Sequence, residues 1–206
     1  MKPENILFVH IPRTGGRSVL RAVGQEFKCQ HKSIGEYCAA LGEAEVKAKH
    51  KVTTIRNPWD RAVSWFSFFG PMGPVNPDTT FESWLEQKFS QWRNLQRCGK
   101  TRKYPLSQFS YLKGPDGKLW VDSFLQFESL STDWARFVKQ NQLGVKATLE
   151  RVGIEERHGA SSISLRKHRG FPEIPADWRA LYTSQGLIDA VATMDQEVIE
   201  KFGYTF

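Results

Sequence analysis

Cysteine is scarce. Cys29, Cys38 and Cys98 are the only three in 206 residues, and they form no CxxC pair or Cys/His cluster at metal-ligand spacing. Neither a disulfide framework nor a zinc site is indicated. Long hydrophobic runs are also missing. The N-terminal apolar stretch "ILFVHI" is too short for a signal-peptide core or a membrane span, so a soluble, cytoplasmic chain is expected. With no internal repeat and no low-complexity linker, residues 1–206 are expected to form a single domain.

What is present can build a core: 40% of residues are hydrophobic and 13% aromatic, including seven Trp and fourteen Phe. The net charge of +7 and a pI near 9.4 favour anionic partners without choosing among nucleic acid, a phosphorylated cofactor and an acidic polysaccharide.

"NILFVHI" reads as a strand covered on both faces, and from Arg17 the positions Val19, Leu20, Val23 and Phe27 make one helical stripe. "SIGEYCAALGEAEVKAK" is amphipathic and leads to a second strand, "KVTTIR". Asn57 can cap a helix with Pro58 at its first position and Asp60 in its first turn; Ala62, Val63, Phe66 and Phe69 line its buried side. "GPMGPVNPD" reads as a loop and "TTFESWLEQKF" as a short helix. "YLKGPDGKLWVDSFLQF" reads as a turn followed by a third strand. "STDWARFVKQN" and "SQGLIDAVATMDQEVIEKF" read as helices, the last stopped by Gly203. The alternation predicts an α/β fold with a mainly parallel central sheet flanked by helices, and ligands at the strands' carboxyl ends.

Two stretches at such ends carry the chemistry. In "PRTGGRS", glycines let the backbone approach an anion, and Thr14 and Ser18 offer hydroxyl donors. Arg13 and Arg17 offer charge and forked hydrogen bonds to a tetrahedral oxyanion. The Walker A spacing is absent. A plain strand-to-helix turn is the alternative reading. In "TIRNPWDRAVSWF", Arg56 ends a strand and Ser64 follows eight residues later on a helix, so the two can grip one phosphate. The alternative there is an Arg56–Asp60 pair and an ordinary helical serine.

Together these stretches resemble the sulfotransferase family, in particular its carbohydrate sulfotransferases, which carry a "PKTGGT-S"-like loop and "RNPxxRxxS". The resemblance implies a P-loop-NTPase-like sulfotransferase fold and 3′-phosphoadenosine 5′-phosphosulfate (PAPS) as co-substrate, with no metal. It assigns the 5′-phosphosulfate to Pro12, Arg13, Thr14, Gly15, Gly16, Arg17, Ser18 and Val19, and the 3′-phosphate to Arg56 and Ser64. "FESLSTD" and the Asp upstream of the terminal Phe-Gly-Tyr are similar to the family's further landmarks, and "SLRKHRG" to its Arg-Lys loop, which points to Arg166 and Lys167. One departure is Arg13, where the family usually has a lysine beside the bridging oxygen.

Transfer to a hydroxyl needs a base, and histidine suits it near neutral pH. His10 lies inside the first strand, its side chain directed either into the core or towards the loop. His50 starts the second strand as a surface residue, and His158 and His168 sit in polar stretches. The resemblance favours His31, upstream of "RNP", with Arg13 as its catalytic cation; Glu128 is the weaker candidate. Eight Lys/Arg against one acidic residue, Asp116, from Lys88 to Lys118 could steer an anionic sugar or be a solvated loop.

The expected activity is sulfuryl transfer from PAPS to a hydroxyl of a carbohydrate or glycan-like acceptor, by in-line displacement. No nucleic-acid partner is expected. The alternatives are a P-loop-type nucleotide or small-molecule kinase, disfavoured by the missing Walker lysine, and a basic nucleic-acid-binding domain.

Overall fold

The computed structural model describes residues 1–24, 31–72, 76–87, 107–150 and 170–206. The chain divides into two compact units, Met1–Arg56 with Ser107–Arg151 and Asn57–Leu106 with Val152–Phe206.

The first unit is α/β. Its strands β1 (Ile6–Val9), β2 (His50–Ile55) and β3 (Ser123–Gln126) form a small open sheet in the order β1-β2-β3, both pairings parallel. Helices α1 (Gly16–Ala22), α2 (Ile34–Leu41), α3 (Glu43–Ala48) and α6 (Leu130–Gln140) flank it. On one face Ile6, Phe8, Val52 and Leu125 join Val19 of α1 and Trp134 of α6 in a buried cluster. Strand alternation puts Leu7 and Val9 on the opposite face, where they are buried as well, as a parallel sheet covered on both sides requires.

Strand β1 is shorter than the expected "NILFVHI". Pro3–Asn5 form a 3-10 turn before it, and beyond Val9 side chains take over the hydrogen bonding. The Thr53 hydroxyl donates to the Val9 carbonyl at 2.8 Å, and the Thr14 hydroxyl donates to the Ile11 carbonyl at 2.8 Å. The expected single helix over "SIGEYCAALGEAEVKAK" breaks at Gly42, whose φ of 90° no helix accommodates. Its start is fixed by a capping box: the Glu36 N–H donates to Ser33 Oγ and the Ser33 N–H to Glu36 Oε2. β3 is pinned to β2 by Asp122, whose Oδ2 accepts from the Lys51 N–H at 2.7 Å and pairs with Lys51 Nζ at 2.9 Å.

The second unit is helical among its described residues: α4 (Pro58–Met72), α5 (81–87), α7 (Gln185–Met194) and α8 (Gln196–Phe202). Asn57 caps α4 as its sequence predicts, its Oδ1 accepting from the Trp59 and Asp60 N–H groups. The helix runs to Met72, so the first residues of the expected loop "GPMGPVNPD" are helical. Trp59, Val63, Phe66, Phe81, Trp84 and Leu187 anchor the core. The expected final helix is two helices, because Asp195 (φ −115°, ψ 30°) interrupts it. Its buried carboxylate faces the buried Arg61 at 3.9 Å. Gly203, at φ 66°, stops α8 as expected.

Candidate active site

Each strand of the first unit ends immediately before a residue of interest: His10 follows β1, Arg56 follows β2 and Phe127 follows β3. In a parallel sheet these are the carboxyl ends, where ligands are expected.

The turn from β1 into α1 is shaped by packing. Gly15 has φ 79°, and a Cβ there would lie 2.8 Å from the Phe127 ring. A Cβ on Gly16 would lie 2.5 Å from His10 Cδ2 and 2.8 Å from Phe8. The first glycine supplies a left-handed backbone, and the second lets α1 sit directly on β1. Arg13 adopts φ 69°, a conformation that non-glycine residues enter at a cost of about 1–3 kcal/mol and that clusters at functional sites.

Arg56 reaches this turn. Its Nη1 donates to the Arg13 carbonyl at 3.2 Å, and its guanidinium lies 4.1 Å over the Phe127 ring. Its backbone is held by buried Gln108, whose Oε1 accepts from the Arg56 N–H and whose Nε2 donates to the Arg56 carbonyl. Phe127 therefore lies against both Gly15 and Arg56. Asp133 fixes the end of β3, its Oδ2 accepting from the Gln126 N–H at 2.9 Å and from Ser129 Oγ at 3.0 Å.

His31 sits beside His10. Its Nδ1 lies 3.1 Å from the His10 carbonyl, and the two ring centroids are 4.4 Å apart. A carbonyl oxygen only accepts, so Nδ1 carries the proton and Nε2 holds the lone pair of the neutral ring. His10 itself is buried. Burial first, and then the neighbouring His31, Arg17 and Arg13, push its imidazole well below the ordinary histidine pKa, so it is neutral at pH 7.

The residues expected from sequence divide as follows. Arg13, Gly15, Gly16 and Arg56 come together at the turn, His31 packs on His10, and Arg17 and Ser18 lie half-buried at the start of α1. Three residues of the loop stretch are fixed by the interior. The Thr14 hydroxyl is wholly buried; it donates to the Ile11 carbonyl and lies 2.6 Å from Thr54 Oγ1, and so staples the loop to β2. Val19 belongs to the hydrophobic core, and Pro12 is buried. Ser64 is half-buried on α4 of the second unit. Glu128 is exposed beside Phe127 in the chain, and His50 Nε2 lies 2.9 Å from Ser123 Oγ on the neighbouring strand. Arg166, Lys167, His158, His168, Cys29, Cys98 and Phe27 lie outside the described residues, as does most of the basic stretch before Lys113.

Sequence reasoning missed Phe127 and Gln108, and left the direction of the His10 ring open between core and loop. Phe127 had a signal, since it opens "FESL", but nothing local tied it to the loop. Among the described residues, no group of three or more His, Cys, Asp or Glu could hold a metal ion, and no helix is long and apolar enough to cross a membrane. No family model, no curated protein and no solved structure matches the chain.

Proposed function

We propose that this protein is a sulfotransferase of the carbohydrate sulfotransferase kind, with a P-loop-NTPase-like fold. It takes PAPS as donor and a carbohydrate or glycan-like hydroxyl as acceptor. The observation that carries the reading is the tie between Arg56 and the Arg13 carbonyl, which joins two separate stretches of the resemblance at one strand edge.

In this reading the acceptor oxygen attacks sulfur while the bond from sulfur to the phosphate oxygen breaks. The leaving adenosine 3′,5′-bisphosphate keeps that electron pair. Arg13 and Arg17 stabilise the charge growing on the leaving phosphate, and Arg56 supplies a fork to a further phosphate oxygen. The acceptor proton goes to His31 Nε2, the nitrogen that the Nδ1–carbonyl bond keeps unprotonated.

Calorimetric titration with adenosine 3′,5′-bisphosphate beside magnesium-ATP tests the donor, and transfer of labelled sulfate from PAPS to a panel of sugars tests the reaction. Micromolar binding of the bisphosphate without ATP binding supports the reading. ATP binding with no bisphosphate binding replaces it with a kinase, and tight, salt-sensitive binding to DNA or RNA replaces it with a nucleic-acid-binding domain.

A further inference from the structure

His10 and His31 are two histidines of opposite situation in direct contact. His10 is 4% exposed at the carboxyl end of β1, while His31 is half-buried and packs across it with rings inclined by 51°. The His10 ring also abuts Gly16, closely enough that a single added methyl would overlap Cδ2. The imidazole of His10 thus touches both the diglycine turn and the His31 ring, with no room to spare towards the turn. The groups whose charge acts on it are His31, Arg17 and Arg13. They bring only positive charge, so a proton collected by His31 is not passed inward to its neighbour.

We propose that His10 is a positioning residue for His31: its buried ring packs against both Gly16 and His31 and so sets where the proton-accepting nitrogen stands relative to the turn. The backbone contributes through the same residue, because the His10 carbonyl selects the Nδ1–H tautomer of His31. The side chain matters because the His31 ring rests against it, with centroids 4.4 Å apart. This inference rests on the sulfuryl-transfer reading for its consequence in turnover, but its geometry is measurable without any substrate.

Nitrogen-15 spectra of the histidine rings test the geometry in the full chain. Wild-type His31 should be the Nδ1–H tautomer when neutral. His10→Ala should return it to a tautomer mixture, and His10→Leu, which refills a similar volume, should restore most of the Nδ1–H form. Turnover should follow: kcat down about 10- to 100-fold in His10→Ala and largely recovered in His10→Leu, with bisphosphate Kd changed less than about twofold in either. An Nε2–H tautomer in the wild type, an unchanged His31 in His10→Ala, or a folded His10→Leu that behaves like His10→Ala would each overturn the proposal. A protein that transfers no sulfuryl group defeats the activity reading instead, and the ring spectra still decide the role of His10.

Discussion

Gln108 grips Arg56 by both polar atoms of its peptide units: Oε1 takes the Arg56 N–H at 3.0 Å and Nε2 gives to the Arg56 carbonyl at 2.9 Å. One side chain thereby does what the next rung of a β-ladder would do, and it aims the arginine at the loop.

Arg56→Ala should weaken adenosine 3′,5′-bisphosphate binding at least about tenfold, since a charge-assisted phosphate contact is worth about 1.5–3 kcal/mol. Arg56→Lys should not restore it, because an ammonium cannot stack on Phe127 and fork towards the Arg13 carbonyl together. Calorimetry of both variants checks this; full affinity in Arg56→Ala removes Arg56 from the site.

His31→Ala should lower kcat by about 10²- to 10⁴-fold, the usual worth of a positioned base, while bisphosphate affinity is kept. Steady-state turnover read beside calorimetry separates the two quantities. Ordinary turnover would move the base elsewhere.

Gly16→Ala should destabilise the chain by about 1–3 kcal/mol, the common cost of overpacking. The new methyl meets Phe8 of β1 and His10 just after it, and neither can retreat into open space. Thermal melting should show a Tm lower by several degrees. An unchanged Tm would mean that α1 slides freely on β1.

How much of this was legible in the sequence depends on distance along the chain. The strand–loop–helix of residues 6–22, the Asn57 cap, the buried Ala62, Val63 and Phe66 and the Gly203 stop were all readable, because each is set by neighbours within a few residues. The direction of the Thr14 hydroxyl was not, since it depends on Thr54 of another strand. Gln108 carries no periodic signal, and its meaning exists only once β2 ends beside it. The break at Asp195 looks like continuous helix until Arg61 is placed opposite.

Asp122 should carry part of the acid sensitivity. Burial alone would raise its carboxyl, but the hydrogen bonds from the Lys51 N–H and Nζ and the Lys51 charge, aided by His50, hold it below the ordinary aspartate value. A depressed pKa in the folded state stabilises above the unfolded value of about 3.9 and is lost as pH falls through the lower folded value. Asp122→Asn should therefore be less stable than wild type at pH 7, and the gap should close as the solution is acidified below that range. Urea unfolding at both pH values measures it; a gap independent of pH would refute the coupling.

The buried partnership of Arg61 with Asp195 also has a consequence for synthesis. While a ribosome is still translating the stretch before Asp195, the nascent chain already contains the Arg61 guanidinium but not the buried carboxylate that faces it in the folded unit. Enclosing a cation before a facing charge is in place is less favourable than enclosing the pair together. Final docking of α4 is therefore favoured once residue 195 has left the ribosome.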